Sequence, residues 1–92
     1  MLGTKMQTLL AVVEAQNFTR AAQALSMTQP AVSHHIKQLE EELGAPLFVR
    51  SKTGLRLTPQ GEIAVKYARR RKALDEKLQL ELENAETGRT NL

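Results

Sequence analysis

Apolar residues first recur at helical spacing at Met6, Leu9, Leu10 and Val13, the i, i+3, i+4, i+7 pattern of one helical face. That pattern predicts a helix from Thr4 to Ala15, broken by Gln16, Asn17 and Phe18. Asn17 or Thr19 can cap a short second helix over Arg20 to Leu25, with Ala21, Ala22 and Leu25 facing inward. Thr28 is a good N-cap for a third. Pro30 falls in its first turn, where no amide hydrogen is missed. Val32, Ile36, Leu39 and Leu43 form the expected buried stripe, and Gly44 is the expected stop. Pro46 to Phe48 is short and apolar. Arg50 to Thr58 then reads as a small hairpin, with Gly54 in the turn and Leu55 and Leu57 alternating with Arg56. Thr58 repeats the capping logic with Pro59 at the first helical position. A helix of about 28 residues, roughly 40 Å, follows to Glu86. Its apolar positions, Ile63, Tyr67, Leu74 and Leu78, make a partial stripe with little of its own domain left to cover it. A second copy is the natural cover. Residues 87–92 read as a frayed tail.

The order of elements predicts a mainly α chain: a winged helix-turn-helix of three helices and a two-stranded β wing over residues 1–58, then a linker or dimerisation helix over 59–86. Composition narrows this little. The apolar fraction is 41% and the aromatics are only Phe18, Phe48 and Tyr67, so the core is aliphatic, as suits packed helices. There is no cysteine, which removes disulfide scaffolds and thiolate metal or redox sites. No apolar run is long enough to span a membrane, and no secretory signal pattern opens the chain, so the cytoplasm is the expected location.

Charge changes the picture more. The net charge is +3, but its distribution is uneven. Arg50, Lys52, Arg56, Lys66, Arg69, Arg70, Arg71 and Lys72 are opposed in that stretch by Glu62 alone. Asp75, Glu76, Glu81, Glu83 and Glu86 then outnumber Lys77 and Arg89. A basic middle suits a polyanion. At about 100° per residue, Pro30, Ser33, His34 and Lys37 project opposite the buried stripe of the third helix, with Gln29 at its tip. Glu40, Glu41 and Glu42 are held back at the far end, where they would not repel a polyanion docked at the start. In a winged helix-turn-helix the second helix of the motif lies in the DNA major groove, with its N-terminal residues at base edges. Gln29 suits adenine, Ser33 bases or phosphate, Pro30 a thymine methyl, and His34 and Lys37 phosphate or guanine. Arg50, Lys52 and Arg56 suit phosphate or the minor groove. His34 and His35 point about 100° apart and cannot chelate one metal from one face; His35 lies nearer the buried stripe. Met6 and Met27 read as core filler.

These residues carry a resemblance. Asn17 to Glu62, NFTRAAQALSMTQPAVSHHIKQLEEELGAPLFVRSKTGLRLTPQGE, resembles the N-terminal DNA-binding domain of LysR-type transcriptional regulators. The shared pattern is aromatic-Thr-x-Ala-Ala, then Ser/Thr-Gln-Pro-Ala-Val-Ser, then Leu-Glu-x-x-Leu-Gly-x-x-Leu-Phe-x-Arg, then Leu-Thr-x-x-Gly. The resemblance implies a bacterial, nucleoid-associated regulator that binds an interrupted palindrome in double-stranded operator or promoter DNA. It implies a homodimer through an antiparallel linker helix, with higher oligomers in a full-length regulator. Thr28, Gln29, Pro30, Ser33 and His34 match the family's DNA-facing positions, and Arg50 and Lys52 its wing. His34 stands where Arg is usual, Leu9 where Phe is usual, and Gln16-Asn17 where Gly-Ser is usual. Family members also carry a C-terminal effector-binding domain. It is absent here, so a small-molecule inducer would act only through a part outside this sequence, and an excised fragment is the favoured explanation. No cofactor, metal or catalysis is expected. The rivals are a helical dimerisation module using Leu74 and Leu78, and a small enzyme assembled from Ser33, His34, Glu40 and Asp75.

Overall fold

The computed structural model describes residues 2–86. The elements are α1 (Thr4–Ala15), α2 (Phe18–Leu25), α3 (Gln29–Leu43), β1 (Phe48–Ser51), β2 (Gly54–Leu57) and α4 (Pro59–Glu86). This is the expected winged helix-turn-helix with a long C-terminal helix. The tail expected at 87–92 lies outside the described residues.

Each boundary has a local cause. Asn17 caps α2 by accepting from the Arg20 amide at 3.0 Å, so α2 begins at Phe18, two residues before its expected start. The Thr28 hydroxyl accepts from the Ala31 amide at 3.2 Å, with Pro30 in the first turn of α3. Three helices end on left-handed residues: Gln16 (φ 55°), Ser26 (φ 54°) and Gly44 (φ 71°). Only the last is glycine, the residue that adopts this conformation without a Cβ penalty.

Leu9, Val12, Ala21, Val32 and Leu47 are completely buried and define the centre of the core. On α1 the innermost residues are Thr8, Leu9 and Val12, while Met6, Leu10 and Val13 flank them half-buried. α1 is covered by α2 and α3 on one side and by α4 on another, so its buried face is wider than one stripe. Leu43 departs from expectation. The stripe of α3 is buried at Val32, Ile36 and Leu39, but Leu43 is 48% exposed. It borders an open apolar recess of about 310 Å³ with Met6, Ala45, Ile63 and Tyr67.

The wing pairs Phe48 with Leu57, Val49 with Arg56, Arg50 with Leu55 and Ser51 with Gly54, antiparallel. Lys52 and Thr53 make the turn. Gly54 closes it at φ +123°, a conformation that L side chains rarely adopt. Ser51 Oγ donates to the Gly54 carbonyl at 2.9 Å and secures the turn.

α4 is also better covered than expected. Its first turns belong to the core: Gly61, Ala64, Val65 and Ala68 are buried, and α4 packs on α1. The joint is at Leu47. Thr58 N donates to the Leu47 carbonyl at 2.9 Å, and Thr58 Oγ1 donates to the Pro46 carbonyl at 2.6 Å. The same hydroxyl oxygen accepts from the Gly61 amide at 2.9 Å, the expected cap. A Cβ on Gly61 would lie 2.1 Å from the Leu47 carbonyl oxygen, so only glycine permits this approach.

Candidate nucleic-acid interface

α3 presents its N-terminal end to solvent. Gln29, Pro30, His34 and Lys37 are exposed, and Ser33 is half-buried beside them. Gln29 Nε2 donates to Ser33 Oγ at 3.3 Å, one turn on, so both polar groups lie together on the same outer face. The contact is long and exposed, and easily exchanged for another hydrogen-bond partner. Thr28 Oγ1 accepts from the Ala31 amide, which leaves its own hydrogen free to donate outward.

The neighbouring histidine points elsewhere. His35 Nδ1 lies 2.9 Å from Thr8 Oγ1. Thr8 Oγ1 also donates to the Thr4 carbonyl at 3.0 Å. A hydroxyl has one hydrogen, so with that bond in place His35 donates from Nδ1. His35 therefore ties α3 to α1, and His34 alone faces outward. Two of the three carboxylates at the acidic end of α3 are likewise occupied. Glu40 Oε2 accepts from the Leu47 amide at 2.7 Å, and Glu42 pairs with Lys5 at 2.6 Å.

Beside the tip of α3 stands the wing. Arg50 borders two shallow recesses: one of about 300 Å³ shared with Ser33 and Lys37, and one of about 320 Å³ shared with Asn17, Thr19 and Gln29. The start of α2, the tip of α3 and β1 thus converge on this one cation. Lys52 sits at the turn. Arg56 does not join them: its register partner is Val49, whereas Arg50 pairs with Leu55, so the two arginines lie on opposite faces of the hairpin. The wing cations expected as one set are therefore divided.

Arg50 lies over one ring of an aromatic pair. Its guanidinium carbon is 5.4 Å from the Phe18 ring centroid, and Phe18 meets Phe48 edge-on at 5.9 Å and 66°. Sequence reading missed this role for Phe18. The scarcity of aromatics was the one signal for a Phe18–Phe48 pair, but nothing local joins residues thirty apart.

The second exposed surface is on α4. Ile63, Tyr67, Leu74 and Leu78 are each about half exposed or more. They share one face, and Leu82, one turn beyond Leu78, extends it. Ile63 and Tyr67 line the same recess as Leu43, so the apolar surface continues onto the domain. Lys66 and Arg70 lie 5.4 and 5.3 Å from the Tyr67 ring centroid. Ser33, His34, Glu40 and Asp75 do not assemble into a catalytic set: Glu40 is engaged with Leu47, and Asp75 borders a recess between α1 and α4. Among the described residues no group of His, Asp or Glu could hold a metal, and no helix is long and apolar enough to cross a membrane.

Comparison with known proteins places this arrangement. The HTH-type transcriptional regulators HdfR of Yersinia pestis and Yersinia pseudotuberculosis are 51% identical over 63 residues, 68% of this chain and 22% of theirs. The chain thus spans about a fifth of the length of those relatives. The BenM DNA-binding domain in complex with catB site 1 DNA superimposes with a TM-score of 0.88 at 32% identity, over 95% of this chain and 94% of that one. The CbnR DNA-binding domain in its DNA complex gives 0.80 at 32% identity, over 88% and 93%. Full-length LysG from Corynebacterium glutamicum gives 0.83 at 29% identity, over 92% of this chain and 30% of that one. Residues 4–62, from the first residue of α1 to the first turn of α4, match the family described as bacterial regulatory helix-turn-helix protein, lysR family, and the chain belongs to that family.

Proposed function

We propose that this chain is a sequence-specific reader of duplex DNA, working as a dimer on an interrupted palindrome in the bacterial nucleoid. The observation that carries the proposal is the tip of α3. It is exposed, polar and free of carboxylates, with a wing cation on its flank, in a fold that superimposes on two domains described as DNA complexes. Gln29, Pro30, Ser33 and His34 enter the major groove; Thr28, Lys37, Arg50 and Lys52 engage phosphates or the minor groove. Arg56, on the far face of the hairpin, takes no part.

Residues 59–86 supply the second function, dimerisation, although the first turns of α4 also complete the core. Charge favours an antiparallel pair. Residues 59–72 carry Lys66, Arg69, Arg70, Arg71 and Lys72 against Glu62, and 73–86 carry Asp75, Glu76, Glu81, Glu83 and Glu86 against Lys77. Antiparallel helices set each basic half beside a partner's acidic half; parallel helices would set like beside like. The exposed stripe from Ile63 to Leu82 supplies the apolar seam.

Selection from a random duplex pool at near-physiological salt tests this reading. Two inverted half-sites a helical turn or more apart are expected. Gln29→Ala should then cost about 1–3 kcal/mol on the selected site and little on random DNA. Salt-sensitive binding with no enriched sequence would reduce the chain to a non-specific binder, and folded protein that binds no DNA would leave only a dimerisation module.

A further inference from the structure

The wing arginine is exposed, yet it does not hang free, and what holds it is a ring. We propose that Phe18 is a positioning residue for DNA binding: its ring face aims the Arg50 guanidinium at the phosphate that flanks the tip of α3. The inference rests on the DNA-reading role proposed above for Arg50.

Three observations converge. Phe18 opens α2, fixed there by the Asn17 cap, and is half-buried. Its T-shaped contact with Phe48 restrains the ring plane from the β1 side. Phe48 and Arg50 are two residues apart on β1 and so leave the same face of the hairpin, which brings the guanidinium 5.4 Å from the same ring. The Phe18 ring is thus restrained by its contact with Phe48, and the Arg50 guanidinium lies over it.

The chemistry of the holder matters. A carboxylate in this place would orient the guanidinium, but it would neutralise the charge and consume its donors. A ring attracts the cation through its quadrupole and leaves the charge and all five N–H donors available. Glu40, the carboxylate that borders the same recess, is engaged with the Leu47 amide. Arg50 is therefore restrained before DNA arrives without being spent, and less side-chain freedom remains to be lost on binding.

The test compares wild type, Arg50→Ala, Phe18→Leu, Phe18→Tyr and the Phe18→Leu/Arg50→Ala double variant on a random-sequence duplex across a salt series. Phe18→Leu should weaken binding about two- to tenfold. It should also reduce the log–log salt slope as Arg50→Ala does, by about one. Phe18→Tyr, which keeps the ring, should retain the wild-type slope, and the double variant should be no weaker than Arg50→Ala. A wild-type slope in Phe18→Leu beside a reduced one in Arg50→Ala would overturn the positioning role and leave the DNA reading standing. Additive losses in the double variant would overturn it too. An unchanged slope in Arg50→Ala would remove Arg50 from the DNA contacts, and the role of Phe18 with it. Should Phe18→Leu not fold, NMR of the DNA-free wild type decides: ring-current-shifted Arg50 side-chain protons are expected, and random-coil positions would refute the stacking.

Discussion

Replacing Gly61 with alanine sets two effects against each other, and the structure says which wins. In an exposed helix interior the change would stabilise by about 1 kcal/mol, because glycine has the larger backbone entropy to lose. Here the new Cβ would lie 2.1 Å from the Leu47 carbonyl oxygen, 2.9 Å from Leu57 Cδ2 and 3.0 Å from the Leu47 carbonyl carbon. The leucine methyl can turn away; the carbonyl cannot. It accepts from Thr58 N, and its neighbour Pro46 O accepts from Thr58 Oγ1. Relief therefore requires α4 to move off the loop by close to an ångström. Overpacking of this kind costs about 1–3 kcal/mol. A strained Thr58 hydrogen bond adds about 1 kcal/mol. Against the helical gain, the net loss is about 2 kcal/mol. With a urea dependence near 1 kcal/mol/M for so small a domain, the unfolding midpoint should fall by about 2 M. The measurement belongs at two protein concentrations, since pairing of α4 would make stability concentration-dependent. A midpoint equal to or above wild type would mean that the Leu47 joint is looser than these contacts imply.

Other outcomes follow from the same geometry. Lys52→Ala should weaken all duplexes alike and lower the salt slope by about one, whereas Arg56→Ala should leave the slope alone; equal effects would contradict the division of the wing into two faces. Gln16→Gly should raise stability by about 0.5–1 kcal/mol in thermal or urea unfolding by relieving a left-handed residue, and a loss would show that the Gln16 side chain holds something in place. Leu74→Glu with Leu78→Glu should shift sedimentation towards monomer without changing the helical circular dichroism of the domain; an unaltered dimer would move the contact off the α4 stripe.

Much of this fold was legible because its punctuation is local. Thr28 with Pro30, Gly44, and Thr58 with Pro59 mark helix ends by side-chain chemistry that acts within one turn. Alternation placed Leu55 and Leu57 on one face of the wing. What sequence did not reveal depends on partners far along the chain. Periodicity assigns Leu43 to the face of Val32, but it cannot say that the core stops one turn earlier. His35 was placed near the buried side, yet its partner Thr8 is on another helix. Arg50 and Arg56 look equivalent until the register sets Arg50 opposite Leu55, and register follows from the two-residue turn. The reason for glycine at position 61 is invisible without Leu47. The candidate site was legible in its residue types along α3. Its geometry, with Phe18 beneath Arg50, was not.

Leu47 has one further consequence. Its amide is bonded to α3 through Glu40, its carbonyl to the cap of α4 through Thr58, its side chain is completely buried, and β1 begins at the next residue. The third helix, the wing and the long helix thus share one fixed point, and the angle between α3 and α4 is not a free variable. In an assembly of two such chains, the distance between the two reading tips is then dictated by how the long helices cross. Spacing of the half-sites and geometry of the helix pair become one quantity, measurable from either side.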